Sequence, residues 1–308
     1  MKSPVRYMEI DADEAGQRLD NYLLRVCRGV PKSHIYKAIR GGQVRVNKGR
    51  AQAGYRLSAR DVVRIPPMRT TAAGQKPPAP PQRFPVVFED DAIMVIDKPA
   101  GVAVHGGSGL SFGVIEQLRA ASPQQPYLEL AHRLDRETSG VLVVAKQRRA
   151  LRALHEALRQ AQGRRLYEAL VWGDWVNDRQ HLRQPLLKWM TPHGERRVRV
   201  DSMGKSCHTI VTLKKRFGEV SWLGAELRTG RTHQIRVHLA AAGYPVLCDE
   251  KYGPDTVRDT FARRGYQRMF LHATELQLPH PLTGEPLVLR APLPDIFKQL
   301  INELENPQ

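Results

Sequence analysis

The segment AHRLDRETSG, residues 131–140, contains the carboxylate best placed to do chemistry in this chain. Asp135 stands between Arg133 and Arg136, shortly before a Ser-Gly pair that predicts a turn. Nearby guanidinium groups favour the charged form of a carboxylate, and an ionised aspartate can act as a nucleophile or as a base. A lone Asp is more often part of a surface ion pair, so other segments must decide between the two interpretations.

A second cluster of reactive side chains lies in TGRTHQIRVH, residues 229–238. The pattern predicts a helix capped by Thr232, and a helix N-terminus attracts anions. Arg231 could therefore contact a phosphate or a carboxylate such as Asp135. His233 and His238 have no acidic cluster and no H-E-x-x-H motif near them, so a metal site is disfavoured. These motifs supply no second carboxylate for a glycosidase-type pair.

Two further segments are weak signals when taken alone. The run 104–113 contains four glycines, which permit close approach of the backbone to a ligand, but it matches no dinucleotide or phosphate-binding pattern. A structural loop is the simpler interpretation. In RRLYEALVWG, Tyr167 alternates with Ala169 and Val171 along a predicted strand. That pattern is typical of a core aromatic residue.

The charge of the chain points to a polyanionic partner. There are 48 Lys and Arg residues against 31 Asp and Glu residues, a net charge of +17. Residues 18–69 alone hold 13 basic and two acidic residues, a net charge of +11. A basic excess focused in this way favours nucleic-acid binding over a generally basic surface.

Composition excludes several other classes of protein. No apolar run approaches the roughly 18 residues of a membrane span, and the charged first residues predict no signal peptide. Cys27, Cys207 and Cys248 are far apart and form no C-x-x-C pair, which excludes a disulfide scaffold and a zinc ribbon. We expect a cytoplasmic, monomeric protein.

Residues 17–69 predict a small basic module. One helix covers 17–28, and a second follows Pro31, with Ser33 as its N-cap and Gly41-Gly42 at its end. A short hairpin turns at Asn47-Lys48-Gly49, and DVVRIP predicts another strand. The side chains expected to bind RNA are Lys32, Lys37, Arg40 and Arg45.

A proline-rich stretch, residues 70–85, predicts a semi-stiff linker outside any core. From residue 86 onward, strands and helices mix without regular βαβ alternation. An amphipathic helix is predicted at 148–160, and VLVVA (141–145) predicts a buried strand. The expected fold is therefore α+β, with a mixed, largely antiparallel sheet and flanking helices.

Four motifs in this order resemble those of the RluA family of RNA pseudouridine synthases. They are KPAG (98–101), HRLDRETSG (132–140), RLYEALVWG (165–173) and TGRTHQIRVHLAAAGYPV (229–246). The resemblance runs from about residue 86 to 297, and the basic module resembles an S4 RNA-binding domain. VHGGSGLSFGVIE resembles in particular the members that act on the large ribosomal subunit. The implied organisation is an S4-like domain (17–69), a linker (70–85) and a catalytic domain (86–308) with the pseudouridine synthase fold.

The resemblance implies isomerisation of uridine to pseudouridine in RNA, without cofactor or metal. Asp135 matches the catalytic carboxylate, which either attacks C1′ or removes a proton from the sugar. Arg231 matches the arginine that pairs with the aspartate, and Tyr167 matches the tyrosine that stacks on the uracil and helps to move the C5 proton. Arg133 matches the arginine that fills the space left by the flipped nucleotide.

The expected partner is 23S ribosomal RNA or a large-subunit precursor. Two alternatives remain open at this stage. One is a synthase acting on tRNA or on another rRNA site. The other is a non-catalytic RNA-binding assembly factor with a decayed synthase domain. The intact set of Asp135, Tyr167 and Arg231 argues against decay.

Overall fold

The computed structural model describes residues 4–12, 14–27, 29–68, 78–107, 110–192 and 194–306. The chain divides into two compact units, Met1–Pro78 and Ala79–Gln308. The boundary falls inside the expected linker, of which residues 70–77 lie outside the described part. Phe84, also expected in the linker, is buried with Ile96 and Val104 in the second unit. A large aromatic side chain gains more from burial than from exposure on a linker, so the described end of this stretch belongs to the second unit.

The first unit packs two helices against a small antiparallel sheet. Its strands run in the order β1-β4-β2-β3, and β1 extends the module before the expected start at residue 17. The predicted inner face of α1 is buried, with Leu19, Tyr22 and Leu23 fully inaccessible. The elements are β1 (Arg6–Glu9), α1 (Leu19–Val26), α2 (Lys32–Arg40), β2 (Arg45–Val46), β3 (Gly49–Arg50) and β4 (Val62–Ile65).

The ends of α2 differ in part from the prediction. Pro31, not Ser33, occupies the N-cap, and no side chain caps the helix there. Proline fixes the φ angle from which the helix begins, which places Ser33 inside the first turn. Gly41 ends the helix as predicted. Asn47 and Lys48 both have positive φ, as a two-residue hairpin turn of the primed type requires.

The second unit is built on one extended sheet, which confirms the α+β expectation. Within the described residues ten strands share this sheet. Its order is β10-β13-β14-β9-β15-β8-β6-β5, with β16 beside β15 and β7 beside β8. The pairs are antiparallel except β15 with β8. The elements are β5 (Val86–Glu89), β6 (Ile93–Lys98), α3 (Val114–Ala121), β7 (Glu129–Leu130), β8 (Ser139–Ala145), α4 (Arg148–Arg159), β9 (Arg164–Trp172), β10 (Arg179–Leu182), β11 (Leu186–Met190), β12 (Arg196–Val200), β13 (Thr209–Arg216), β14 (Val220–Leu227), α5 (Gln234–Ala241), α6 (Asp255–Arg263), β15 (Leu271–Pro279), β16 (Pro286–Arg290) and α7 (Asp295–Glu305).

Strand β8 is the buried centre that positions the Asp135 segment. All seven of its residues are buried, because alternate side chains pack on α4 through Leu154 and on α3 through Leu118. Each such aliphatic side chain contributes about 1.5–3 kcal/mol on burial. The strand begins four residues after Asp135, so this packing anchors the segment at its C-terminal end.

The Ser-Gly pair after Asp135 is not a turn. Ser139 and Gly140 start β8 and pair in parallel with His272 and Ala273 of β15. Gly140 has a φ of 109°, and a Cβ there would lie 2.2 Å from the carbonyl oxygen of Ala273. Glycine is required by this close approach of two strands, not by a chain reversal.

None of the described helices combines the length and apolar composition needed to cross a bilayer.

Candidate active site

A cavity of about 570 Å³ opens between the Asp135 segment, β9 and the loop before α5. Its walls include Arg133, Asp135, Tyr167 and Arg231. The structure thus brings together the three predicted catalytic residues and Arg133, which was predicted to fill the space of the flipped nucleotide. The volume lies within the range of pockets that hold small ligands.

A buried lysine hydrogen-bonds to the backbone of the Asp135 segment. Lys98, the first residue of KPAG, is completely inaccessible. Its Nζ donates to the carbonyl oxygens of Pro99, Val102 and Arg136 at 2.7, 2.8 and 3.0 Å. Burial lowers the pKa of Lys98 to about 7. The three acceptors match the three protons of an ammonium group, so Lys98 ties the residue after Asp135 to the end of β6.

Arg236, not Arg231, pairs with Asp135. Its Nη1 donates to Oδ2 of Asp135 at 3.0 Å. The other edge of the guanidinium makes two hydrogen bonds of 2.7 Å to Asp249, whose side chain is fully buried. Burial lowers the pKa of Arg236. The hydrogen bonds and charges of Asp249 and Asp135 raise this pKa by more than burial lowers it, so it lies above its ordinary value. The guanidinium group of Arg236 is therefore fixed before substrate binds.

The start of α5 explains why the two arginines have different roles. Arg236 is a buried residue in the first turn of α5, whereas Arg231 lies in the exposed loop that precedes the helix. The buried amide of Gln234 accepts from the N–H of Arg231 and from the hydroxyl of Thr229. His233, not the predicted Thr232, occupies the N-cap, in a left-handed conformation with φ 54°. Arg231 remains a wall residue of the cavity.

Tyr167 is a partly buried residue of β9, between Ala225 of β14 and Ala273 of β15. Burial raises the pKa of its phenol to about 12, although the charge of Arg165 lowers it. The hydroxyl is consequently protonated at neutral pH, and the side chain lines the cavity.

His132, in the same motif as Asp135, was not singled out from the sequence. Its Nε2 accepts a hydrogen bond of 3.1 Å from the backbone N–H of Val143. Burial lowers its pKa to about 4. The ring is therefore neutral, carries its proton on Nδ1, and joins the Asp135 segment to β8.

The glycines of residues 104–113 serve the packing of their own loop. A Cβ on Gly106 would lie 2.8 Å from the carbonyl oxygen of Ser111, and one on Gly113 would lie 2.5 Å from that of Ala103. Gly109 is outside the described residues. His105 from this loop lines the cavity. At Gly106 and Gly113 these close contacts favour a structural role for glycine in the loop over a role in ligand binding.

In the first unit, the predicted RNA-binding side chains are exposed. Lys32, Lys37 and Arg40 lie on α2, and Arg45 lies on β2. Arg45 donates to the carbonyl oxygens of Gly42 and Lys48 at 3.3 Å. Among the described residues no carboxylate pairs with any of the four. Their positive charge is available to a polyanion.

Metal ligation finds no support in the part of the chain that the structure describes. No group of three or more His, Cys, Asp or Glu side chains there is arranged to hold an ion.

The sequence contained a signal for the arginine that was missed. Arg236 stands between the apolar residues Ile235 and Val237, in a helix of which residues 234–239 are all buried. A buried charge needs a partner, so a helix of this kind predicts an internal ion pair. Its partners, Asp135 and Asp249, are 101 and 13 residues away along the chain. Only the fold shows that these residues meet Arg236.

Comparison with known proteins places the chain in a family. Residues 92–241 match the model of the RNA pseudouridylate synthase family, and residues 17–63 match the S4 domain. A solved structure called human RNA pseudouridylate synthase domain containing 4 superposes with a TM-score of 0.60. It is 24% identical and the match covers 72% of this chain and 93% of that one. This likeness supports the fold alone. The chain belongs to the RNA pseudouridine synthase family and carries an N-terminal S4 domain.

Its relatives in sequence identify the branch of the family that it resembles. Ribosomal large subunit pseudouridine synthase C of Pasteurella multocida is 46% identical over 97% of this chain and 94% of the relative. The protein of the same name from Escherichia coli K12 is 47% identical over 98% and 97%. The one from Yersinia pestis is 48% identical over 94% and 92%. The chain is an enzyme of the pseudouridine synthase family, an isomerase, similar over nearly its whole length to these proteins.

Proposed function

We propose that this protein converts specific uridines of 23S ribosomal RNA to pseudouridine, with Asp135 as its catalytic carboxylate. The observation that carries the proposal is the partly exposed Asp135 side chain, which a buried arginine holds in a cavity that Tyr167 also lines. The names of the near-full-length relatives supply the substrate class.

The reaction is an isomerisation, so its atoms balance within the nucleotide. The C1′–N1 bond breaks, the uracil turns, and a C1′–C5 bond forms, while C5 loses a proton and N1 gains one. Because the base is recaptured and not replaced by water, one carboxylate suffices where a glycosidase needs two. Attack at C1′ and removal of a sugar proton both require an ionised, correctly oriented Asp135. Arg236 meets the orientation requirement by holding Oδ2.

The remaining wall residues take roles that follow from their positions. Tyr167 offers a ring for stacking on uracil and a protonated hydroxyl for moving the C5 proton. The target uridine must leave its stack, which costs a few kcal/mol. Arg133 is exposed beside Asp135 and is placed to fill the vacated space. Phosphate contacts of the S4 domain, through Lys32, Lys37, Arg40 and Arg45, offset part of that cost.

The test compares Asp135→Asn with wild-type enzyme. We expect the variant to form less than a few per cent of the wild-type pseudouridine on a 23S rRNA transcript, since an amide is neither a useful nucleophile nor a base. RNA binding should be nearly unchanged. Asp255→Asn, an exposed site on α6, is the matched control and should retain full activity. Carbodiimide-stop sequencing of the product maps the modified positions.

Each alternative has its own outcome in the same assay. Substantial turnover by Asp135→Asn removes this residue from the reaction. Wild-type activity on tRNA or 16S rRNA transcripts, without activity on 23S rRNA, contradicts the proposed substrate. A wild-type protein that binds 23S rRNA and modifies none of these RNAs, as naked transcripts or in precursor particles, would be an assembly factor.

A further inference from the structure

Asp135 is approached from a second side by a histidine. Nε2 of His233 lies 3.9 Å from Oδ1 of Asp135, while Arg236 holds Oδ2. The other ring nitrogen of His233, Nδ1, lies 2.7 Å from the hydroxyl of Tyr252. The two rings meet edge to face, with centroids 5.5 Å apart. Tyr252, His233 and Asp135 therefore form a chain of contacts that ends at the carboxylate.

The hydrogen bonds of Tyr252 determine which nitrogen of His233 carries the proton. The backbone N–H of Val198, in β12, donates to the Tyr252 hydroxyl oxygen at 3.1 Å. A phenol has one proton to donate. The arrangement that satisfies all three groups has Tyr252 donating to Nδ1 of His233. The imidazole proton is then on Nε2, the atom that faces Asp135. Burial lowers the pKa of His233, which keeps the ring neutral at pH 7.

We propose that Tyr252 is a positioning residue, which fixes His233 with its N–H directed at Asp135 and so orients the carboxylate for isomerisation. This inference rests on the proposed role of Asp135. At 3.9 Å the Nε2–Oδ1 contact is longer than a hydrogen bond. Catalytic hydrogen bonds of this kind are often long without substrate and shorten in the complex. When the contact shortens, a charged donor holds one oxygen of the carboxylate and a neutral donor holds the other.

The backbone at His233 supports an orienting role. Its φ of 54° lies in the left-handed region, which costs a non-glycine residue of order 1–3 kcal/mol and is retained where the surroundings impose it. Here the N-cap position of α5 turns the imidazole toward Asp135 and Tyr252 together. Tyr252 is itself fixed, because its backbone N–H donates to Asp249 at 3.2 Å and its ring lies under the guanidinium of Arg236.

The informative variant is Tyr252→Phe, because it removes the hydroxyl and keeps the ring contacts. We expect single-turnover pseudouridine formation at saturating RNA to fall about tenfold, comparable to the loss of one hydrogen bond to a charged group. The dissociation constant for RNA should stay within about twofold, the ordinary effect of a change outside the binding surface. Tyr266→Phe is the matched control, since its hydroxyl bonds to Glu303 on α7, and its turnover should equal wild type. Wild-type turnover in Tyr252→Phe overturns the proposal.

A second background separates positioning from a structural role. His233→Gln keeps an N–H donor near the place of Nε2 and has no tautomer to fix. In this background Tyr252→Phe should change turnover by less than about twofold, so the two substitutions should be strongly non-additive. If Tyr252 acts only by bonding the backbone of Val198, the tenfold loss should recur in the His233→Gln protein, and the proposal is wrong.

A direct measurement does not depend on activity. Long-range ¹H–¹⁵N spectra of protein labelled in its histidines distinguish the two neutral imidazole tautomers, and His233→Gln assigns the signal. We expect the Nε2–H form in the wild-type protein at pH 7.5. A wild-type Nδ1–H form overturns the proposal whatever the role of Asp135. An active Asp135→Asn enzyme would instead refute the proposed function and leave the tautomer result standing.

Discussion

At the scale of single residues, Asp135 pairs with Arg236 and not with Arg231. Replacing the two arginines should therefore have different effects on stability and turnover. Arg236→Ala leaves Asp249 buried without its partner, and breaking such a pair costs about 3–5 kcal/mol. We expect a large loss of both unfolding free energy and turnover. Arg231 is exposed, so Arg231→Ala should change stability by no more than about 0.5 kcal/mol and should act through the KM for RNA. Denaturant unfolding and steady-state kinetics on both variants test this difference. Equal destabilisation by the two substitutions would contradict it.

Tyr167 supports a prediction about pH. Because burial raises its pKa to about 12, the phenol stays protonated from pH 7 to 10, and the rate should show no titration of Tyr167 in that range. Tyr167→Phe keeps the stacking ring and removes the hydroxyl. We expect turnover to fall by about 100-fold or more, the usual contribution of a positioned proton-transfer group, with RNA binding nearly unchanged. Single-turnover rates across this pH range measure both effects, and a wild-type ionisation near pH 9 that disappears in Tyr167→Phe would refute the assignment.

The sequence predicted the site residues by type but not all of their partners. Asp135, Tyr167 and Arg231 were recognised from motifs, and each lines the cavity. Motifs preserve residue types, whereas partners depend on where distant segments meet. Arg236, Asp249 and Tyr252 are brought to Asp135 by α5 and the turn after it, over more than 100 residues of intervening chain.

At the scale of elements, local periodicity predicted α1, α4, β8 and β9 well. Their bounds follow amphipathic or continuous apolar patterns. The secondary-structure predictions were wrong or absent where tertiary contacts override the local sequence pattern. Ser139-Gly140 has the composition of a turn but serves a close strand pairing. The hairpin β11–β12 carries too many exposed charges to give a clear strand pattern.

The junction of β8 and β15 yields a prediction for acid stability. His272 is fully buried, and burial lowers its pKa to about 4. Its Nδ1 lies 2.7 Å from the hydroxyl of Ser139, which also accepts from Arg268 at 2.9 Å. Protonation would therefore place a charge next to a buried guanidinium. Between pH 6.5 and 4 the unfolded chain binds a proton at this position that the folded protein does not, so stability falls as pH falls.

The size of this effect can be measured with one variant. A shift from 6.5 to about 4 corresponds to about 2 kcal/mol of unfolding free energy lost between pH 7 and 5. His272→Asn keeps an acceptor for Ser139 and cannot be protonated. We expect the variant to be less stable than wild type at pH 7 but to lose about 2 kcal/mol less on acidification. Denaturant unfolding at the two pH values gives the difference, and parallel losses in both proteins would show that His272 does not titrate as inferred.

At the scale of the whole molecule, charge is divided unequally between two units with different tasks. The cavity and its ion pairs belong to the second unit, and the +11 excess of residues 18–69 belongs to the S4 domain. In the second unit many basic side chains are matched with carboxylates, such as Lys215 with Glu305 and Arg290 with Glu275. In the first unit, the exposed basic residues of α2 and β2 have no such match among the described residues. This difference predicts where RNA affinity originates.

The salt dependence of RNA binding tests this division. Replacing Lys32, Lys37, Arg40 and Arg45 with alanine should weaken binding and lower the slope of log K against log salt by up to about 3, because each phosphate contact releases about 0.7–0.9 counterion. Turnover at saturating RNA should be little changed, since none of the four lines the cavity. The control removes the same amount of charge from basic residues of the second unit that pair with carboxylates. It replaces Lys215, Arg258, Arg290 and Lys298 with alanine. Long-range attraction by net charge alone would change both slopes equally, whereas direct phosphate contacts by the S4 domain would change only the first.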